Sequence, residues 1–312
     1  MKKSTRQRTS LKVEDCWLFA ISSKLDFARR LSTEKSTVSV ADLNWLSKDA
    51  GNFRLFSIRQ GTKERDVQEP KRELQILHAR IHKLLARVQV PNYLHSAVKG
   101  RSYLSNARAH DLASPTIKID IKKFFPSVPR RAIFRFFEQT LRCRRDVAGM
   151  LADILTFDAR LPTGSSASPI IAYYAFKPMF DELSKYAESH GLTMTCYVDD
   201  ITMSGYGACH SMLYDLHQII SRHGLKSHKM KFLPGQSSKV ITGVCNSPSG
   251  EKVPNKLLLK ISNGFRELRT TASIDQKRKA LSVLLGRMEA AKQIDPRFGA
   301  RAKTLRTQMR NN

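Results

Sequence analysis

The chain has few cysteines, and their arrangement suggests neither disulfide pairing nor metal binding. No Cys-x-x-Cys motif occurs, and the nine histidines show no ligand spacing; His228, close to Lys226 and Lys229, is predicted to be a surface residue. An odd number of scattered thiols argues against a disulfide-stabilised secreted domain and against a structural zinc site. We therefore expect a cytoplasmic protein in a reducing environment. The five cysteines are Cys16, Cys143, Cys196, Cys209 and Cys245.

Long apolar runs and lipid-attachment motifs are lacking as well. The basic N-terminus is followed by the apolar run from Cys16 to Ile21, which is too short for the apolar region of a signal peptide. No segment has the length that a transmembrane helix requires. The sequence therefore predicts no membrane partner.

Acidic residues are scarce, with 27 Asp and Glu against 54 Lys and Arg, and the formal net charge is +27. Such an excess of positive charge favours a polyanionic partner, most simply a nucleic acid. Hydrophobic residues make up 41% of the sequence, as in ordinary globular proteins. A chain of 312 residues is long enough for two or three small domains.

The hydrophobic patterns predict an α+β core close to the split βαβ, or ferredoxin-like, arrangement. Apolar and polar residues alternate from Thr116 to Ile121, so that Lys118 and Asp120 share the polar face of a strand. The other predicted elements are a basic helix over 130–144, a buried helix from Ser168 to Gly191, a hairpin over 194–203, an amphipathic helix over 212–224 and a strand over 240–244.

The flanking segments are predicted to be mainly helical. Residues 1–50 are basic and carry no motif, 53–69 predict a β-hairpin, and a helix is expected from Glu73 towards Pro91. Residues 252–312 contain fifteen Lys and Arg against four Asp and Glu, with apolar residues at helical spacing. This predicts a helical C-terminal domain with a basic face, more charged than solubility alone requires.

The most informative segment is Tyr197-Val198-Asp199-Asp200, which predicts two carboxylates at the tip of a tight hairpin. Adjacent carboxylates repel each other unless a cation lies between them, so the pair is suited to a hard metal ion such as Mg²⁺. A solvated Asp-Asp turn is the alternative for this segment taken alone. Asp120, at the end of a strand in the same predicted sheet, is a third carboxylate expected to converge there with the backbone carbonyl of Ile121. Such a set suits two Mg²⁺ ions in an in-line phosphoryl transfer.

Four segments in the same order and spacing resemble the conserved motifs of reverse transcriptases. Residues 119–125 (Ile-Asp-Ile-Lys-Lys-Phe-Phe) resemble motif A, and 161–169 (Leu-Pro-Thr-Gly-Ser-Ser-Ala-Ser-Pro) resemble motif B. Residues 197–200 resemble motif C, and Gly224-Leu225-Lys226 with Lys231 downstream resembles motif D.

Within that class the chain is most similar to bacterial retron reverse transcriptases. The element Asn106-Ala107-Arg108-Ala109-His110 resembles their N-A-x-x-H element, and Ile241-Thr242-Gly243 resembles their V-T-G element. Residues 70–74 resemble the fingers, and the segment from 284–286 through 295–296 resembles the thumb.

The resemblance implies a right-hand polymerase with fingers, a ferredoxin-like palm and a C-terminal helical thumb. The implied domains are an N-terminal helical extension over 1–50, fingers over 51–115 with the retron-type element at 106–110, a palm over 116–250 with motifs A to E, and a basic thumb over 251–312.

The resemblance also assigns roles to single residues. Asp120, Asp199 and Asp200 are the implied catalytic and metal-binding residues, with two Mg²⁺ ions and Mn²⁺ as a substitute. Phe125 is the implied steric gate against a 2′-hydroxyl, whereas a core position describes Phe124 better.

Four more residues would bind the nucleotide. Lys63 and Arg65 would hold its triphosphate, although they could equally be surface charges. Gly164 would let the backbone approach the incoming base pair, or is an ordinary turn glycine. Lys231 would donate a proton to pyrophosphate, or merely bind the backbone.

The two retron-type elements suggest residues that handle RNA. Asn106 and His110 would serve a retron-specific function, with a buried structural histidine as an equal alternative. Thr242 and Gly243 would take part in recognising the cognate RNA, or form a plain turn. One position departs from the family: motif B usually reads Leu-Pro-Gln-Gly, and Thr163 stands where Gln is expected. This puts fidelity or nucleotide preference in doubt more than activity.

The implied enzyme is an RNA-directed DNA polymerase that copies part of its cognate structured non-coding RNA into branched, RNA-linked single-stranded DNA (msDNA). Its implied partners are that RNA, the RNA–DNA hybrid and msDNA product, dNTPs, an accessory effector protein in anti-phage defence, and a host RNase H that removes template RNA. The alternatives are another defence-associated or group II intron-like reverse transcriptase, and a catalytically inactive RNA-binding scaffold. Intact Asp120, Asp199 and Asp200 argue against the scaffold.

Overall fold

The computed structural model describes residues 11–34, 36–60, 63–271 and 273–310. The helices are α1 (Lys24–Leu31), α2 (Val40–Lys48), α3 (Arg72–Leu85), α4 (Tyr103–Arg108), α5 (Phe124–Ser127), α6 (Arg130–Arg135), α7 (Arg145–Ile154), α8 (Ser168–Ala175), α9 (Lys177–Ser189), α10 (Met212–Arg222), α11 (Asn255–Thr270), α12 (Ile274–Lys292) and α13 (Arg297–Arg310). The strands are β1 (Phe53–Gln60), β2 (Lys63–Pro70), β3 (Thr116–Ile121), β4 (Thr193–Tyr197), β5 (Asp200–Ser204), β6 (Ser227–Leu233), β7 (Lys239–Ile241), β8 (Val244–Ser247) and β9 (Gly250–Lys252).

A four-stranded antiparallel sheet forms the centre of the molecule, with the strand order β4-β5-β3-β6. Ile117, Ile119 and Ile121 of β3 are buried, as their alternation predicts. Helices lie between β3 and β4 and between β5 and β6 in the chain. The helices α9 and α10 pack against the strands of this sheet and against each other. This order and connectivity confirm the predicted ferredoxin-like arrangement.

The two edges of this sheet differ. The extended backbone of Tyr93 to His95 runs parallel to β4, because the Cys196 N–H donates to Tyr93 O and the His95 N–H donates to Cys196 O. The opposite edge, β6, contains a β-bulge: Lys118 pairs with Lys231 and Asp120 with His228, so β6 has one extra residue between these pairs. Lys229 lies in the bulge in the left-handed backbone region, with φ +53°.

Several helix boundaries differ from the prediction. The predicted helix over 130–144 ends at Arg135 and continues as a π-helical turn over Phe136–Thr140, and a separate helix, α7, follows. The predicted helix over 168–191 is two helices that meet at Phe176, because Pro178 in the first turn of α9 lacks the N–H needed to continue α8. The hydroxyl of Ser168, the first residue of α8, donates to Pro162 O at 2.6 Å.

The C-terminal helices have a hydrophobic core of their own. α11, α12 and α13 bury Ile261, Leu284, Met288, Phe298 and Ala302, and this cluster is separate from the main core. The prediction of C-terminal helices is confirmed. A three-stranded sheet, β7-β8-β9, lies between them and the central sheet in sequence, and its buried residues pack against Ala107 of α4.

No helix among the described residues is both long enough and apolar enough to span a membrane.

Candidate active site

The hairpin of β4 and β5 carries two of the three predicted carboxylates. Tyr197 pairs with Asp200, so that Val198 and Asp199 form the two-residue turn and Asp200 is the first residue of β5. Val198 has a φ of +62°, which is rare for a β-branched residue, and its N–H donates to Ser96 Oγ at 3.0 Å. Such a backbone persists only where the surrounding structure fixes it. The hairpin therefore holds Asp199 and Asp200 in a defined, strained turn.

The third carboxylate lies directly beside this turn. Asp120 pairs with Asp200 across β3 and β5, and the Ile121 N–H donates to Asp199 O at 2.9 Å. The backbone thus brings Asp120, Asp199 and Asp200 to one corner of the sheet. The convergence predicted from the sequence is present in the structure.

Burial and mutual repulsion raise the pKa values of the hairpin carboxyls. Burial, followed by the charge of Asp120, raises the pKa of Asp199 to about 6. Burial also raises the pKa of Asp200, although Lys118 opposes that shift. A cation between these carboxyls would stabilise their ionised forms.

Two lysines and one histidine contact these carboxylates. Lys118 Nζ donates to Asp200 Oδ2 at 3.2 Å and to Val240 O at 3.1 Å. His228 Nε2 donates to Asp120 Oδ1, and Lys229 Nζ donates to Asp120 Oδ2 at 2.9 Å. Lys118 shares the polar face of β3 with Asp120, which the alternation of that strand indicates.

The bulge in β6 directs two consecutive side chains to one carboxylate. In a regular strand His228 and Lys229 would point to opposite faces of the sheet. The extra residue and the left-handed backbone at Lys229 allow both to contact Asp120. His228 is therefore half-buried rather than a plain surface residue, and the prediction for it was wrong.

The described residues contain no group of three His, Cys, Asp or Glu side chains that is already arranged to hold a metal ion. Asp120 and Asp200 are instead bonded to Lys118, His228 and Lys229. The donor set nevertheless fits a hard divalent ion, since it consists of three carboxylates at neighbouring backbone positions.

Phe124 and Phe125 follow Asp120 in a short helical turn that begins after Lys123, whose φ is +49°. Phe124 is buried against Phe176 and Phe180, as expected for a core residue. Phe125 is only half-buried and stacks on Phe124, with ring centroids 6.2 Å apart. Phe125 thus retains an accessible face next to the carboxylates in sequence, and the steric gate stays a prediction.

Hydrogen bonds join the loop that resembles motif B to strand β2. Thr163 Oγ1 donates to Asp66 O at 3.0 Å and to Gln68 Oε1 at 3.2 Å, and the Thr163 N–H also donates to Gln68 Oε1. The Gly164 N–H donates to Gln68 O at 3.1 Å. Sequence analysis missed Gln68. The short side chain of Thr163, on this loop, hydrogen-bonds to the side-chain amide of Gln68, which lies on β2.

Replacing Gly164 with alanine should destabilise the contact between the loop and β2. A Cβ atom at Gly164 would lie 2.8 Å from both Gln68 O and Glu69 Cα, and these backbone atoms cannot yield without moving the strand. We expect a loss of about 1–3 kcal/mol in the free energy of unfolding, measured by denaturant titration.

Gly286 provides the matched control for this substitution. It lies within α12, and a Cβ atom there would meet nothing within 4 Å. Gly286→Ala should therefore stabilise the protein by about 0.5–1 kcal/mol. Equal effects at the two glycines would contradict the close packing of Gly164.

The remaining residues predicted to bind nucleotide lie on exposed strands. Arg65 is exposed on β2 opposite Ile58, and Lys63 begins the same strand, but its side chain lies outside the described part of the structure. Lys231 is exposed on β6 and pairs with Lys118, two residues before Asp120. The positions of these three residues do not show whether they contact a nucleotide, so their roles stay predictions.

The two retron-type elements contact each other. Asn106 Nδ2 donates to Thr242 Oγ1 at 3.4 Å, and Thr242 Oγ1 donates to Tyr103 O at 2.8 Å. Thr242 and Gly243 form the turn between β7 and β8, with φ values of +43° and +87°. Asn106 and His110 are buried, so a role of these two side chains in RNA handling would act through the elements that they join.

His110 ties this region to the central sheet. Its two ring nitrogens bond to Ser204 Oγ and Thr195 Oγ1, both at 2.7 Å, on the face of the sheet that also carries Asp200. Burial, with nearby positive groups, lowers the pKa of His110 to about 3. The buried ring is therefore neutral at physiological pH.

The pKa of His110 predicts how stability depends on pH. Unfolded histidine titrates near 6.5, so between that pH and about 3 only the unfolded state binds the proton. The contribution of the neutral ring to the free energy of unfolding is complete above pH 6.5. It should fall by about 1.4 kcal/mol for each pH unit as the pH is lowered from there to about 3. Denaturant titrations at several pH values should show this slope reduced in His110→Gln. The exposed His190→Gln is the control, and an unchanged slope in His110→Gln would contradict the assignment.

The fold and the converging carboxylates define a polymerase-type palm, and comparison with known proteins identifies the family. Residues 58–241 match the family model described as reverse transcriptase (RNA-dependent DNA polymerase). The chain belongs to the reverse transcriptase family.

Curated relatives confirm the resemblance predicted from the motifs. The chain is 32% identical over 166 residues to the retron Se72 reverse transcriptase of Salmonella heidelberg (strain 579083-10), covering 52% of this chain and 44% of the relative. It is 28% identical over 177 residues to the retron Ec86 reverse transcriptase of Escherichia coli, covering 55% of each. The chain thus spans about half the length of the curated relatives it matches.

Among solved structures, a foamy viral protease-reverse transcriptase in complex with double-stranded DNA aligns with 84% of this chain and 39% of its own, with 18% identity and a TM-score of 0.48.

Proposed function

We propose that the chain is an RNA-directed DNA polymerase of the retron type. The observation that carries the proposal is the placement of Asp120 opposite Asp200, with Asp199 in the adjoining turn, within the segment that matches the family model. Three carboxylates at one corner of an antiparallel sheet suit the transfer of a nucleotidyl group to a hydroxyl.

Two Mg²⁺ ions would be held by Asp120, Asp199, Asp200 and the backbone carbonyl of Ile121, with Mn²⁺ as a substitute. When bound, such ions activate the attacking hydroxyl and stabilise the leaving pyrophosphate. The protein's own part is to supply hard oxygen ligands in a fixed turn. Lys118, His228 and Lys229 would exchange their carboxylate contacts for the triphosphate when substrate enters.

The nucleotide would lie between the β1–β2 hairpin and the β4–β5 hairpin. Lys63 and Arg65 would bind its phosphates, Lys231 would protonate or bind the leaving pyrophosphate, and Gly164 would let the backbone approach the base pair. Phe125 would exclude a 2′-hydroxyl and so favour deoxynucleotides.

The division of the chain follows the same proposal. Residues 1–50 form an N-terminal extension, 51–115 the fingers, 116–250 the palm and 251–312 the thumb. The basic thumb would bind RNA stems or the RNA–DNA hybrid, mostly through phosphates and 2′-hydroxyls.

The retron assignment implies further partners. The template would be the protein's cognate structured non-coding RNA, and the product would be msDNA. A host RNase H would remove template RNA, and an accessory effector protein would act with the enzyme in anti-phage defence. The similarity to relatives named retron reverse transcriptases supports this part of the proposal.

The proposal is tested by expressing the protein from its native locus, purifying it and extracting the bound nucleic acid. RNase and DNase digestions, read on a denaturing gel, should reveal a discrete DNA linked to RNA. DNA synthesis on an added RNA template without such a product would leave a polymerase that is not of the retron type. Recovery of RNA alone, with no DNA even after dNTPs and Mg²⁺ are added, would overturn the polymerase proposal in favour of an RNA-binding scaffold.

A further inference from the structure

A depression away from the central sheet is lined by one aromatic ring and three cations. It has a volume of about 340 Å³, within the size range of small-ligand sites. None of its lining residues belongs to the strands that carry the carboxylates. The lining residues are Trp17, Arg80, Lys83, Leu84 and Arg87.

Two segments of the chain build this depression. Arg80, Lys83 and Arg87 follow one another at intervals of three and four residues along α3 and its C-terminal end, and this spacing places them on one face. The segment before Trp17 is bound to the end of that helix. The Leu11 N–H donates to Arg87 O at 2.9 Å, and the Gln89 N–H donates to Leu11 O at 2.8 Å.

The indole of Trp17 is exposed and yet fixed in position. The residue is 56% exposed, although Trp17 Nε1 donates to Arg30 O at 3.0 Å. The Arg30 guanidinium lies 6.0 Å from the ring centroid and donates to Trp17 O. A large aromatic ring held rigidly in solvent offers a stacking surface at little entropic cost.

The cations of the depression lack acidic partners within the described part of the chain. No ion pair there involves Arg80, Lys83 or Arg87. Guanidinium and ammonium groups without acidic partners suit the oxygens of a phosphate.

We propose that this depression, the Trp17 site, binds a nucleotide of single-stranded RNA. The base stacks on the Trp17 indole, and the phosphates that flank it contact Arg80, Lys83 and Arg87. An exposed aromatic beside several cations is the combination that single-stranded nucleic acids require. The choice of RNA rests on the proposed function, whereas the site itself requires no polymerisation.

Fluorescence tests the stacking directly, because Trp17 and Trp45 are the only tryptophans in the sequence. In full-length Trp45→Phe protein, a short oligoadenylate should quench the emission of Trp17 in a saturable manner. In the matched Trp17→Phe protein, the emission of the equally exposed Trp45 should not change. Absence of quenching in the first protein at concentrations that saturate RNA binding would overturn the proposal.

Affinity measurements test the cations. Trp17→Ala should weaken oligoadenylate binding about tenfold. The triple variant Arg80→Gln, Lys83→Gln, Arg87→Gln should reduce the slope of log affinity against log salt by about 0.7 for each phosphate that the protein no longer neutralises. Neutralising three exposed lysines elsewhere, Lys48, Lys99 and Lys185, is the control. Equal slopes in the two triple variants would contradict the site.

Two further comparisons separate the alternatives. Adenosine monophosphate that quenches Trp17 as strongly as the oligomer, at equal nucleotide concentration, would point to a free nucleotide and overturn the RNA-strand proposal. The quenching should persist in protein that also carries Asp199→Asn and Asp200→Asn. A failure of the Trp17 site can therefore be distinguished from a failure of the polymerase proposal, which is judged by DNA synthesis alone.

Discussion

Replacing Asp199 and Asp200 together with asparagine should abolish DNA synthesis and leave RNA binding intact. The amide side chain has the same shape but is a poor ligand for a hard divalent ion. The two carboxylates are expected to supply several kcal/mol of transition-state stabilisation, which corresponds to a decrease of about 10³-fold or more in rate. Primer extension on an RNA template in Mg²⁺ measures this decrease, and a filter-binding assay measures RNA affinity.

The matched control for this double variant is Asp15→Asn, which changes an exposed carboxylate outside the central sheet. It should retain both activities. Unchanged polymerisation in the double variant would contradict the assignment of Asp199 and Asp200 as metal ligands. Loss of RNA binding together with synthesis would instead indicate that the hairpin had unfolded.

Replacing Phe125 with alanine should give the second large effect, a loss of discrimination between deoxynucleotides and ribonucleotides. The half-buried ring packs on Phe124 and would occupy the space that a 2′-hydroxyl requires. Steric rejection of a single small group is worth on the order of 10- to 100-fold. The ratio of kcat/KM for a dNTP to that for the matching rNTP should fall by that factor.

Phe124→Ala separates this effect from simple loss of packing. Phe124 is buried among aromatic side chains, so its removal should lower the free energy of unfolding by about 3–5 kcal/mol. Its nucleotide discrimination, measured under conditions where the protein remains folded, should stay close to wild type. If the two variants lose discrimination equally, Phe125 is a core residue and not a gate.

The features that the sequence predicted are those encoded by local patterns. The alternation of β3 places Ile117, Ile119 and Ile121 in the core and Asp120 on the polar face, and the structure agrees. The two carboxylates between short apolar runs located the β4–β5 hairpin to within one residue at each end. The order of strands and helices was sufficient for the ferredoxin-like topology.

The features that were missed depend on contacts between distant parts of the chain. His228 and Lys229 reach Asp120 only because of the bulge in β6, and no local pattern indicates a bulge. Gln68 meets Thr163 across 95 residues of sequence. The break between α8 and α9 did have a local signal, Pro178, which the apolar pattern outweighed.

The bulge in β6 also has a consequence for how the protein behaves at high concentration. β6 is an edge strand of the central sheet, and an edge with free N–H and C=O groups can pair with the edge of another molecule and start aggregation. The kink at Lys229 and the exposed lysines of this strand interrupt such pairing. The other edge, β4, is covered by the chain's own segment around Leu94. The same irregularity that brings His228 and Lys229 to Asp120 therefore also protects the sheet from self-association.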